Sequence, residues 1–448
     1  MPCSRNSRND GVAGAIAAPR IARDARQTAE LPWRAAVLGA LAMLLIALGS
    51  PAQADPPPLT PQELAIVLTL SPLGPPAQDT TNAVSGNCRA IDFGRNLFFD
   101  VRLSRGHNRS CAACHILEEG LADGRAVAFA PRVLRNTPSV WNVAYNRWFF
   151  WDGRADSLWA QTAGPIESAA ELNLDRMELA RRIATEPDLR REYEALFGPL
   201  PDIDRARGSE AGPNARQAIP PDRRDAATQI LANVAKAIAA FEGTLTSRVA
   251  AFDRFVESLR TGTAGGSNTL AATALRGLKI FVGRGQCVQC HAGPNFSDGE
   301  FHNMLALSGD GDPEDPGRYR GLELLDASEL RADGRFASAA DADRIAKLQS
   351  AVRGELTRGQ FKTPSLRNVA GRTAFLHHGR IASLKAAVAR YASLRSHARQ
   401  DARADPLVSS IEVSLRDVDD LLAFLQTLTD TSGLETVWED CADLPQAR

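Results

Sequence analysis

Two Cys-x-x-Cys-His motifs, Cys111 to His115 and Cys287 to His291, constrain this 448-residue chain more than any other feature. Cysteine and histidine number only seven each, so two chance occurrences are not expected. Two thiols two residues apart can add to the two vinyl groups of one haem. The adjacent imidazole then faces the iron as proximal ligand. Zinc would need both pairs to converge on one ion, and neither zinc nor a thiol redox pair accounts for a histidine after each pair. The expectation is two covalently bound haems c, one at Cys111, Cys114 and His115, the other at Cys287, Cys290 and His291.

The motifs sit in a chain that repeats itself. FGRNLFF (93–99) precedes the first and RGLKIFV (276–282) the second. NTPSVWNVA (136–144) follows the first and KTPSLRNVA (362–370) the second, each leading into a related stretch, FWDGRADSL (150–158) and LHHGRIASL (376–384). Pro138 to Trp151 and Pro364 to His377 are both 13 residues, whereas the step from motif histidine to proline is 23 residues in the first copy and 73 in the second. The second copy therefore carries an insertion, 303–352, which includes the Gly/Asp/Pro-rich LSGDGDPEDPG, read as a surface loop. Periodicity is mostly helical over 225–260, 268–282 (with Ser267 as N-cap), 383–395 and 414–428. The fold class expected is mainly α: two cytochrome c-like haem domains arranged as an internal repeat, at 90–262 and 263–448, behind an N-terminal arm at 55–89. A haem supplies much of each core, so modest apolar content suffices.

Residues 1–54 read as an address. Six arginines and three acids precede an apolar run from Ala35 to Leu48, and Ala52-Gln53-Ala54 resembles a small-residue cleavage site. The alternative is an uncleaved anchor, but the run is shorter than the ~20 residues a spanning helix needs. Cleavage near Ala54 leaves 46 basic and 50 acidic side chains, with no basic block to suggest nucleic acid and no membrane span. Export leads to an oxidising compartment, where Cys88 and Cys441 can form a disulfide that clips the two ends together; two free thiols are the alternative.

Function depends on what faces each iron opposite its histidine. In the second copy Tyr391 follows His377 by 14 residues, on a helix whose apolar face includes Leu384, Ala387 and Val388. The corresponding position in the first copy is Pro165, which cannot ligate. One iron would be capped by Tyr391 and the other left open; the plainer reading is a core tyrosine. Near the open site stand Gln161, able to orient a peroxide, and Glu171, able to move a proton between its oxygens; the plainer reading is two solvated helix residues. Trp151 falls near the interface between copies, where an indole could relay electrons.

At these residues the chain resembles the bacterial dihaem cytochrome c peroxidase and MauG family. The landmarks are GRNLFFDVRLS, SCAACH, RNTPSVWNVAYN, FWDGRADSL, QCVQCH, FKTPSLRNVA and the HHG at 377–379, spread over about residues 90–430. The resemblance implies that Trp151 lies between the haems and that Gln161, Pro165 and Glu171 line a peroxide pocket. It makes the first domain peroxidatic and the second an electron-transfer domain. Tyrosine at 391 and the lack of a histidine in 116–140 are MauG-like; other members carry methionine and a distal histidine there. The resemblance also implies a calcium between domains, held by Asn136 and by two carbonyls, those of Arg372 and Ala374.

The function expected is a periplasmic peroxidase or oxidase. It would reduce hydrogen peroxide with electrons from a small redox protein (a cytochrome c or cupredoxin) or from Trp/Tyr of a protein substrate. The reading of a different class is a non-catalytic dihaem electron-transfer cytochrome, against which Pro165 and the missing distal histidine argue.

Overall fold

A computed structural model describes residues 57–126, 135–203, 221–263, 270–305, 315–398 and 403–431. The signal, the centre of the acidic loop and Cys441 lie outside these ranges, as does Ser267. The described chain is helical, with one two-stranded antiparallel ladder, β1 (Phe301–His302) on β2 (Phe361–Lys362).

Each copy is built on a pair of crossed helices. In the first copy, α2 (Cys88–Phe99) crosses α6 (Pro221–Glu242); in the second, α8 (Ala272–Val282) crosses α12 (Val418–Gln426). α2 starts where the Asn87 side chain accepts from the Ala90 N–H at 3.1 Å, satisfying a helix-end donor. The crossings are close because each carries a glycine. A Cβ at Gly94 would overlap the Ala237 carbonyl oxygen, and one at Gly277 the Asp420 carbonyl oxygen. Around the second crossing Phe252 meets Phe296 and Phe424 edge to face, and Phe281 meets Phe296 the same way, the arrangement favoured by aromatic quadrupoles.

The same register recurs in the loops. Asn142 and Asn368 both take the left-handed conformation, and both donate to the one Ser247 hydroxyl, at 2.7 and 2.8 Å. The Asn142 N–H donates to the Leu245 carbonyl and the Asn368 N–H to the Leu428 carbonyl. Ser247 therefore lies where the two copies meet. Their remaining seam is reciprocal: the Asn136 N–H donates to the His377 carbonyl and the Lys362 N–H to the Trp151 carbonyl.

Three expectations change in detail. The helical stretch 225–260 is two helices, α6 and α7 (Ala251–Thr261), because residues 243–250 form a turn and an irregular segment between them. The N-terminal arm is not all irregular: α1 (Pro61–Thr69), with a Thr60/Glu63 capping box, buries Val67 and Leu70 in the core of the second copy. The insertion is sequentially part of the second copy yet covers the first. Its helix α9 (Arg318–Asp326) puts Leu322 and Leu325 against Trp148, and Leu330 and Phe336 join the first copy's core. Lys236 of α6 anchors it, donating to the Phe336 carbonyl at 2.6 Å and to Ser338 at 2.9 Å.

Candidate active site

Each motif histidine is oriented by its own loop. His115 Nδ1 lies 3.0 Å from the Leu121 carbonyl and His291 Nδ1 2.9 Å from that of Phe296. A carbonyl only accepts, so Nδ1 carries the proton and Nε2 keeps its lone pair. Burial lowers the pKa of both imidazoles, which keeps that lone pair available. The four motif cysteines are unpaired, and with both histidines they line one cavity of about 1020 Å³. Thiol pairs, an imidazole with a free nitrogen and an apolar cavity form the donor set and space that haem requires.

On the first side, α3 (Leu158–Glu167) presents Gln161 and Pro165 one turn apart, on one face and on the cavity wall. Ser157 starts the helix, accepting from the Ala160 N–H at 3.3 Å. Pro165 lacks an N–H, so the Gln161 carbonyl loses its helical partner. After α3 the chain turns through Asn173, whose φ is +53°, and Glu171 joins the same wall. Burial raises the Glu171 pKa, opposed by the charge of Arg154. Arg154 is itself held by Asp152 at 3.0 Å and lies 3.5 Å over the Phe150 ring.

On the second side, α11 (Leu384–Ala398) places Tyr391 on the cavity wall with Ala387 and Val388. Tyr391 and Met304 pack on Leu305, Leu394 and Val408. Burial raises the phenol's pKa. Beside it, His302 is clamped: Nδ1 is 2.6 Å from Asp405 and Nε2 2.8 Å from Asp298. With a carboxylate at each nitrogen both must carry hydrogen, so the ring is an imidazolium; the Asp298 bond is the leading cause of a pKa of about 11. Cys290, Asp298 and His302 are close enough to share a metal ion. The cysteine belongs to a haem motif and both imidazole nitrogens are engaged, so the cluster is better described as a clamp.

Between the two sides, the Trp151 indole N–H donates to the Asn136 carbonyl at 2.8 Å. His377, its partner in the repeat, stacks on Phe361 at 3.5 Å and 9°. Arg135 ties Asp152 at 2.6 Å to Asp315 at 2.7 Å. The Asn136 amide nitrogen reaches the carbonyls of Ala374 and Leu376, at 3.2 and 3.3 Å, and its Oδ1 is buried without a partner. The carbonyl of Ala374 is one of the two partners of that amide; the carbonyl of Arg372 is not. Arg372 contributes its side chain instead, lining the cavity, its pKa lowered to about 10 by burial.

A model of the family described as "Di-haem cytochrome c peroxidase" matches residues 89–261. The methylamine utilization protein MauG of Methylorubrum extorquens is 32% identical over 341 residues, 75% of this chain and 77% of that protein. The chain belongs to the dihaem cytochrome c peroxidase and MauG family. The cytochrome c551 peroxidase of Pseudomonas aeruginosa is 30% identical over 344 residues, 75% of this chain and 78% of its own length. Among solved structures, a MauG-like protein associated with microbial copper homeostasis matches with a TM-score of 0.57 at 23% identity, over 84% of this chain and 97% of that one. The diheme peroxidase BthA from Burkholderia thailandensis matches at 0.55 and 22%, over 80% and 88%. These two likenesses speak for the fold. As a member of the family the chain is a peroxidase-type oxidoreductase with two haems.

Of the residues singled out from sequence, Gln161, Pro165, Glu171 and Trp151 line the cavity with the first motif, and Tyr391 lines it with the second. Cys88 is disulfide-bonded; Cys441 lies outside the described residues. The sequence reading missed Glu242, Lys362 and the His302 clamp. Alignment of the helices that close the two copies would have exposed Glu242; nothing local marks the others.

Proposed function

We propose that the chain is an exported MauG-type peroxidase. It reduces hydrogen peroxide in the first pocket with electrons drawn through the second. The observation that carries this reading is the unlike pair of walls in one cavity: Gln161, Pro165 and Glu171 on the His115 side, Tyr391 on the His291 side. Cys111, Cys114 and His115 would hold one haem covalently; Cys287, Cys290, His291 and Tyr391 would hold the other. When bound, haem supplies the electron exchange with peroxide and with the reductant.

The chain's own residues supply the rest. Pro165 keeps a ligand off one face. Gln161 has an amide to orient a peroxide, and Glu171 can carry a proton from one peroxide oxygen to the other, a transfer of the kind worth ~100-fold in rate. A phenolate from Tyr391 would favour oxidised iron. Trp151 offers an indole through which charge can pass between the pockets. Lys362, pushed down to about 8 by burial, and Arg372 offer cations to haem propionates. Asn136 with the Ala374 and Leu376 carbonyls suits calcium: turning the amide over brings its orphaned oxygen to the two carbonyls.

The apolar run and Ala52-Gln53-Ala54 support export to the periplasm, and no described helix is long and apolar enough to cross a membrane. The electron source is a small cytochrome c or cupredoxin, or Trp/Tyr of a protein substrate. Stopped-flow spectroscopy of the oxidised holoprotein with peroxide, with and without reduced cytochrome c, tests the reading. Reaction without prior reduction, and one open iron in electron paramagnetic resonance, are expected. Two fully ligated irons indifferent to peroxide would make it a two-centre electron carrier.

A further inference from the structure

α6 ends on a carboxyl that the reaction above does not use. Glu242 is 4% exposed and lines the cavity with Cys111 and Thr162. Its Oε2 lies 3.0 Å from the Thr162 hydroxyl, which also lies 2.9 Å from the Leu158 carbonyl. A hydroxyl has one proton, and a carbonyl can only accept it. With that proton on Leu158, the contact to Glu242 closes only if the carboxyl is the donor. The hydroxyl can therefore serve the acid in either state, donating to an ionised carboxylate or accepting from a neutral one. Burial, with a single hydroxyl to oppose it, moves the pKa from 4.5 to about 7.

The repeat shows that packing alone does not require an acid here. AFEGTLT (240–246) aligns with AFLQTLT (423–429), which pairs Glu242 with Leu425. The register that pairs Pro165 with Tyr391 pairs Thr162 with Val388. Val388 and Leu425 are both buried in the second core. The same helix contact is thus apolar in one copy and an acid on a hydroxyl in the other.

Ionisable groups on the helices packed against α6 are mostly turned to one another. Asp92 pairs with Arg95 on α2, Glu167 with Arg176 between α3 and α4 (Arg176–Thr185), and Glu178 with Arg182 on α4. Glu242 and Glu171 both act on the Cys111 thiol, which haem attachment would remove.

We propose that Glu242 is a proton-storing residue of the first pocket, protonated while the pocket is reduced and deprotonated when it is oxidised. When one electron is withdrawn, the carboxyl's one proton leaves for solvent; when that electron is returned a proton comes back, so the dry site keeps its net charge. The inference rests on haem being held at Cys111, Cys114 and His115, not on peroxide being the substrate.

Two measurements on the holoprotein test it. The oxidised-minus-reduced infrared spectrum, taken with carboxyl-labelled glutamate, should show a protonated-carboxyl band lost on oxidation. The band should vanish in Glu242→Gln, survive in Glu171→Gln and escape the label in Glu242→Asp. The midpoint potential of the first haem should fall as pH rises through neutrality, towards about 59 mV per tenfold change in proton activity. Glu242→Gln should flatten that slope with haem content unchanged; if it does not load haem, Glu242→Asp, which keeps the acid, carries the test. An unchanged slope in Glu242→Gln, or no redox-linked carboxyl band in the unmodified protein, overturns the inference. Inertness to peroxide with slope and band intact overturns only the peroxidase reading.

Discussion

The two halves share a frame and differ at the cavity wall. Gly94 and Gly277 allow the same helix crossing, Asn142 and Asn368 meet at the same serine, and His115 and His291 are held by the same carbonyl device. Four aligned wall positions then diverge. Gln161, Thr162, Pro165 and Glu242 line the first side, and Ala387, Val388, Tyr391 and Leu425 the second. At these four positions the first wall carries an amide, a hydroxyl and an acid, whereas the second is apolar apart from one phenol. Backbone contacts resist change because a Cβ would collide and force the helices apart. Side chains facing a cavity can change chemistry without moving the frame.

The largest effect should come from erasing that difference. Pro165→Tyr gives the first wall the phenol of the second. Loss of the open-iron signal and of detectable reaction with peroxide is expected, while retained reactivity would show that Pro165 does not keep the site open. Glu171→Gln, followed by stopped flow, should slow the peroxide reaction ~100-fold; unaltered rates would make it a bystander.

Next is the pH dependence of stability. The folded chain keeps the Glu242 proton up to about 7, where the unfolded chain loses it near 4.5. The stabilisation is complete below 4.5 and is lost as pH rises through 7. At ~1.4 kcal/mol per unit, up to about 3 kcal/mol is at stake. Denaturant midpoints of Glu242→Gln should therefore rise relative to the unmodified protein between about pH 5 and 8. Parallel curves would mean the acid is already ionised when buried. Smallest, Gly94→Ala and Gly277→Ala should each cost ~1–3 kcal/mol by overpacking, by similar amounts if the crossings are equivalent. A large inequality in denaturant unfolding would break the symmetry of the frame.

Much of this was legible in the chain itself. The motif spacing names the residues proposed to hold haem, and the 13-residue step from proline to aromatic aligns Pro165 with Tyr391. What was not legible depends on approach between distant segments. Asp405 reaches His302 across 103 residues, and Asn136 reaches Leu376 across 240. The insertion follows the second motif in sequence but packs on the first copy, because its apolar face meets Trp148 there.

Sequence by itself determined the paired thiol-imidazole motifs, the repeat and the helical class, because these rest on residue spacing and periodicity within a few turns. Tertiary structure alone decided which side chains share the cavity, which carbonyls face Asn136, and that Glu242 is sealed from water against one hydroxyl. Burial and hydrogen bonding set the protonation of such groups, and both arise only when helices far apart in the chain close around a common space.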